Sequence, residues 1–136
     1  MARGKWTKPT VSKAKEAAQK SEGIRRIAAE RLRHFTEEGW SAAHDAGHVH
    51  GELSLVACCY AAPRPIYIME QAERGIYVLF ADPWPESWAP EHDKRGKHDR
   101  LRRLEIAGAL IAAEIDRIIC ADQPEIEKEE EDGSTE

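Results

Sequence analysis

Cysteine is sparse here: Cys58, Cys59 and Cys120 are the only three in 136 residues, with no CxxC spacing and no spread of paired positions. That excludes a disulfide framework and a thiolate zinc site, and it predicts a reducing, intracellular setting. Long apolar runs are missing as well. No stretch of about 18 apolar residues occurs, and the basic start from Met1 to Trp6 leads into no apolar signal segment, so neither a membrane span nor export is expected. The length leaves room for one domain and excludes a multidomain enzyme.

Acidity is unevenly spread. The net charge is −5, but residues 122–136 carry eight acids against Lys128 alone, and removing that segment leaves +2. Residues 1–22 hold Arg3, Lys5, Lys8, Lys13, Lys15 and Lys20 against two acids. The expected organisation is a basic arm over 1–22, possible helix from Ser12, a helical domain over 23–121, and an acidic tail over 122–136 with the composition of disorder. The oppositely charged tail competes with any nucleic acid the arm attracts, so nucleic acid is not an expected partner.

Within the domain, Ile24, Ile27, Ala28, Leu32 and Phe35 recur at helical steps and end at Gly39, which suits a helix C-terminus. Residues 40–50 read as a compact loop with one turn started by Ser41. A second helix is predicted from Gly51 to Ala62, where Pro63 and Pro65 stop it. Ile66–Met69 and Ile76–Phe80 are β-favouring runs joined by a polar stretch, the shape of a hairpin. Three prolines in 82–90 forbid regular structure, and Trp84 and Trp88 predict an ordered loop packed by its own rings. The last helix, Asp99 to Cys120, places Leu101, Leu104, Ala107, Gly108, Ile111, Ile115 and Ile118 on its expected core face. The fold class is therefore mainly α, a small helical bundle with an inserted hairpin and Trp-Pro loop and disordered termini. Such short helices bury little alone, so a homo-oligomer is expected, with Gly108 marking close approach of another helix or of a symmetry mate.

The densest chemistry is His44-Asp45-Ala-Gly-His48-Val-His50-Gly-Glu52. Three imidazoles and two carboxylates in nine residues can hold a divalent metal if the loop bends them together; the plainer fate is a capping Asp45 with solvated histidines. Carboxylates also lie on the helices, among them Glu30, Glu37, Glu38, Glu52, Glu105, Glu114 and Asp116. Surface solvation is the ordinary expectation for Glu37, Glu38 and Asp116, whereas Glu52 and Glu114 sit nearer the apolar stripes. Trp40, Trp84 and Trp88 offer faces on which a base can stack, or simply pack the long loop. Arg31, Arg33, Arg102 and Arg103 can fork onto phosphate or solvate helix faces.

Glu30-Arg-Leu-Arg33, Glu38-Gly-Trp40-Ser, His44-Asp45, His48, Gly51-Glu-Leu53, Trp84-Pro85, Trp88 and Leu104-x-x-Ala107-Gly-Ala-Leu-Ile-x-Ala-Glu114-Ile together resemble a small protein family of bacteriophages and prophages, over residues 24–119. In outline that family is similar to the MazG-like all-α nucleotide pyrophosphohydrolases. The resemblance implies a Mg²⁺-dependent, nucleotide-binding protein in the host cytoplasm that splits a nucleoside triphosphate into monophosphate and pyrophosphate. On that reading Glu52 and Glu114 are the catalytic carboxylates, with His44, Asp45 and His48 as further metal ligands. Arg31 and Arg102 would hold phosphates, and Trp40, Trp84 and Trp88 the base. The sequence departs from that enzyme pattern: Val49 stands three before Glu52, Leu53–Ala62 has no acid, and Arg103 occupies a position expected to be acidic. These departures motivate an alternative, a non-enzymatic phage inhibitor of host defence that sequesters a nucleotide signal or binds a host defence protein.

Overall fold

The computed structural model describes residues 4–122. Helix α1 (Val11–Gln19) starts on a Thr10 cap one residue before the predicted Ser12, and every one of its residues is exposed. Helix α2 (Glu22–Thr36) is capped by Ser21, whose hydroxyl accepts from the Ile24 N–H. It ends as expected: Gly39 takes the left-handed conformation, φ 67°, and the Trp40 N–H returns to the His34 carbonyl at 3.0 Å. Ser41 then caps the short α3 (Ala42–Asp45), and Gly51, φ 77°, leads into α4 (Glu52–Ala61). The charge run predicted as an acidic tail lies outside the described residues except Asp122, which closes the last helix.

Strands β1 (Tyr67–Ala72) and β2 (Gly75–Phe80) pair antiparallel with Ala72 opposite Gly75: the predicted hairpin, but with the strands running on into the polar stretch expected to join them, so that only Glu73 and Arg74 make the turn. The Trp-Pro loop follows and carries two 3₁₀ turns, Pro90–His92 and Arg95–Lys97. Helix α5 (Arg100–Asp122) is the spine against which α2, α3 and α4 pack. The core joins Leu53, Val56, Ala57 and Tyr60 of α4 to Ala107, Leu110 and Ala113 of α5, with Trp84, Trp88 and Ile106 covering it. Burying each large apolar side chain there stabilises the fold by roughly 1.5–3 kcal/mol. The mainly helical architecture with one inserted hairpin is as the sequence implied.

The core face of α5 differs from the expected one. Leu101, Leu104, Ile111, Ile115 and Ile118 are exposed, whereas Ala107, Leu110 and Ala113 meet α4. Alanines at the contact let the two helix backbones approach, so the small residues face inward and the branched ones outward. Gly108 marks a helix crossing within this chain: a Cβ there would stand 2.6 Å from Cδ1 and Cγ1 of Ile27 on α2. The close neighbour is thus α2 of the same chain, and no symmetry mate is needed to explain that glycine.

Candidate functional site

The turn α3 and the start of α4 put the His44–Glu52 segment against the Trp-Pro loop. Between them lies a cavity of about 590 Å³ lined by Trp40, His44, Asp45, His48, Glu52, Trp84 and Trp88, with Leu53, Val56, Tyr60, Ile106 and Leu110 as its apolar floor. Seven residues expected to touch metal or base therefore share one cavity. His50 lends it only a backbone N–H, which donates to Glu52 Oε2 at 2.8 Å.

Ring contacts run along one side. Trp40 stacks on His44 at 6.1 Å between centroids with 7° between planes, His44 meets His48 edge-on at 5.1 Å, and His48 lies 5.1 Å from Trp88. Trp84 meets Trp88 nearly perpendicular at 6.0 Å, and its indole N–H donates to the Trp88 carbonyl at 3.2 Å. The loop is thus packed by its own tryptophans, as the prolines required. One face of this row remains directed at the cavity.

His44, Asp45 and His48 offer ligand atoms within 4.8 Å of one another. Asp45 is buried and receives Arg31 Nη1 at 3.5 Å, while its other oxygen lies 3.3 Å from His44 Nδ1. The Nε2 atom of His48 is shut off from solvent without a hydrogen-bond partner, although a ring nitrogen in that position wants one. An ion would supply it. Two imidazoles and a carboxylate form a donor set that suits Mn²⁺, Fe²⁺ or Zn²⁺ better than Mg²⁺, which takes oxygen ligands. Nothing in this geometry favours Mg²⁺.

Glu52 turns its carboxylate back onto the start of its own helix. Burial works to raise its pKa, but backbone N–H groups of Glu52 and His50 outweigh that and hold it below the ordinary carboxylate value. Glu114 makes a two-pronged pair with Arg117, both contacts at 2.8 Å, and does not line the cavity. Arg117 is also close enough to Glu52 for its charge to be felt. The two expected catalytic carboxylates are thus each engaged, one by backbone and one by arginine.

The expected phosphate grips stand elsewhere. Arg31 bridges Asp45 and Asp116 and lies 4.2 Å over the Phe35 ring. Arg102 reaches Glu30 at 2.5 Å and Glu105 at 3.4 Å. Among the described residues the cavity lining contains no arginine or lysine.

Two arrangements were not singled out in the sequence. Glu30, buried in α2, is held by Arg33, Arg102 and His34, and His34 itself packs 4.6 Å from Trp40. The i, i+3 and i, i+4 spacing of Glu30 with Arg33 and His34 was the available signal. Asp82 forms the second, accepting from Cys59 Sγ at 3.0 Å, from the Trp84 N–H at 3.1 Å and from Arg95. That junction joins residues up to 36 positions apart in chain order, and no local pattern announces it. Neither a family model, nor a curated protein, nor a solved structure matches the chain.

Proposed function

We propose that the chain is a nucleotide-binding protein whose ligand places its base among Trp40, Trp84 and Trp88 and its phosphates beside His44, Asp45 and His48. What carries this reading is the meeting of those six side chains on one cavity of about 590 Å³, within the range of small-molecule sites. Stacking on tryptophan is worth ~1–3 kcal/mol per base and tolerates any base. The phosphates meet a harder surface. Asp45 and Glu52 bring negative charge, offset only from behind by Arg31 and Arg117; among the described residues no arginine or lysine lines the cavity, so a triphosphate meets no cation there unless a divalent ion lies between.

His44, Asp45 and His48 are the residues that would hold such a cation, with Glu52 beside them. A bound divalent ion supplies phosphate neutralisation and a more acidic water, the chemistry a pyrophosphohydrolase of MazG-like type needs. Glu52 keeps its charge through its low pKa and orients by its helix-start hydrogen bonds. The direct test is calorimetric titration of a nucleoside triphosphate panel with MnCl₂ or with EDTA, alongside pyrophosphate release. Metal-dependent binding with release abolished by Glu52→Gln is the expected result. No binding of any nucleotide with either additive refutes the reading.

One observation favours sequestration without turnover: Arg31, Arg102 and Glu114 are all committed to ion pairs, Arg31 with the lining residue Asp45 and the other two away from the cavity. Among the described residues no guanidinium lines the cavity to take the charge of a departing pyrophosphate. Metal-dependent binding with no release from any nucleotide selects this second reading. The phage setting, the host cytoplasm and a defence protein as partner rest on the family resemblance alone.

A further inference from the structure

A second cavity, about 250 Å³, shares no lining residue with the first. It lies where the end of α4 and the Pro63-Arg64-Pro65 turn meet the start of α5, and Arg64, Arg95 and Arg103 all line it. Asp82 is its only acid, and both carboxylate oxygens are taken: one accepts from Cys59 Sγ and the Trp84 N–H, the other from Arg95. Arg95 is also forked onto Asp93, with its Nε 3.2 and 2.9 Å from the two oxygens. That network is closed and leaves no acceptor for a further cation.

Arg103 is the residue it fails to satisfy. Its Nε is buried and has no hydrogen-bond partner, and among the described residues the side chains of Arg103 and Arg64 make no ion pair. A buried N–H without an acceptor is costly, and the rest of the half-buried Arg103 guanidinium remains open toward the cavity and solvent. Two unpaired guanidinium groups around a small concavity, with a third fixed beside them by two aspartates, form a donor set of forked N–H groups. Tetrahedral oxyanions match such forks with two oxygens at a time.

We propose that this cavity is an oxyanion site, bound by Arg103 and Arg64 and positioned by the Asp82–Arg95–Asp93 network, for inorganic phosphate or the phosphate of a monoester. It is independent of the nucleotide cavity, since the two share no side chain. Free phosphate and a phosphate monoester present the same oxygens, and the titrant tells them apart.

The test is ¹⁵N NMR on the full chain, following the arginine Nε–H signals, with sodium phosphate and then glycerol phosphate added at constant ionic strength. The expected result is a saturable shift of the Arg103 Nε–H signal and, with it, of the Arg95 Nε–H signal, the latter reporting affinity at least tenfold weaker in Arg103→Met. In phosphate-free buffer that variant should unfold no earlier than the parent, because it removes an unpaired charge. Should Arg103→Met fail to fold, Arg64→Gln on the exposed side is expected to weaken binding by a similar factor. Tighter binding of glycerol phosphate than of phosphate identifies the monoester as ligand; equal or weaker binding identifies the free ion. A shift that never saturates, or one of equal midpoint in parent and both variants, overturns the site.

Discussion

His34 Nε2 lies 3.0 Å from Glu30 Oε1, one helical turn away, with both side chains withdrawn from water. The carboxylate can only accept, so Nε2 carries the hydrogen and Nδ1, buried and without a partner, is the bare nitrogen. Burial is the larger influence on His34 and pushes its pKa below 6.5, outweighing the pull of Glu30. For Glu30, burial raises the pKa, but bonds from Arg33 and Arg102 win and hold it below 4.5. The signs follow. Below pH 6.5 the unfolded chain takes up a proton at His34 that the folded chain refuses, so stability falls toward the lower folded value. A second loss begins as pH drops below 4.5 and Glu30 is protonated first in the unfolded chain. Melting temperature by circular dichroism should decline between pH 6.5 and 5 in the parent and stay nearly level in His34→Gln. Parallel curves for the two proteins would refute the buried neutral imidazole.

Cys59 differs from its neighbour in the same helix. Burial, and then the bond to Asp82, push its thiol up to about 12, whereas Cys58 and Cys120 are exposed. A thiol reagent acts on the thiolate, so Cys59 should be inert at pH 8. Titration with a chromogenic disulfide is expected to reach two thiols per folded chain and the third only in guanidinium. Rapid reaction of all three in the folded state would contradict the Cys59–Asp82 contact.

The metal reading has an optical consequence. His44 stacks on Trp40 and His48 touches Trp88, so Ni²⁺ or Mn²⁺ held by the two imidazoles sits near both indoles and should quench their emission. Saturable quenching is expected in the parent, lost in His48→Asn and kept in His50→Asn, because the His50 ring does not line the cavity. Equal quenching in both variants would place the ion elsewhere.

The sequence showed where the helices lie because caps and breakers are local. Ser41, Gly39 and Pro63 each act within a few residues: α4 and α5 fell within two positions of expectation, and α2 stopped at Thr36, three residues before the left-handed Gly39. The cavity was legible in part for the same reason: His44, Asp45, His48 and Glu52 occupy nine consecutive positions, and the tryptophans are rare enough to single out. What stayed hidden depends on three-dimensional partners. Arg31 and Arg102 were indistinguishable from free phosphate grips until Asp45, Asp116 and Glu30 came within reach. Likewise α5 is apolar on two faces, and which one meets α4 depends on alanine's size rather than on hydrophobicity.

Gly108 tests the α2–α5 crossing. Alanine in its place gains about 1 kcal/mol of helix propensity, but the new methyl would meet Ile27 at 2.6 Å, at Cγ1 as well as at the mobile Cδ1. Overpacking of this kind costs roughly 1–3 kcal/mol, so Gly108→Ala should be neutral to destabilising by urea unfolding. In an Ile27→Ala background the obstacle is gone and the same change should stabilise by about 1 kcal/mol. A Gly108→Ala effect that is the same with either residue at 27 would mean the helices cross elsewhere.

The outward face of α5 is the basis for expecting self-association. Leu101, Leu104, Ile111, Ile115 and Ile118 are each between 38 and 53% exposed, and Ile111, Ile115 and Ile118 stand three and four residues apart on one helix face, beyond the point where Ile27 of α2 covers Gly108. A symmetric dimer closed by α5 on α5 is the expectation to be tested. Light scattering should give twice the chain mass for the parent, and the chain mass for Ile111→Glu with Ile115→Glu, without loss of helical signal. A parent that stays monomeric at 100 μM, a concentration of roughly that order being ample for any interface tighter than −6 kcal/mol, would leave the face without a partner copy.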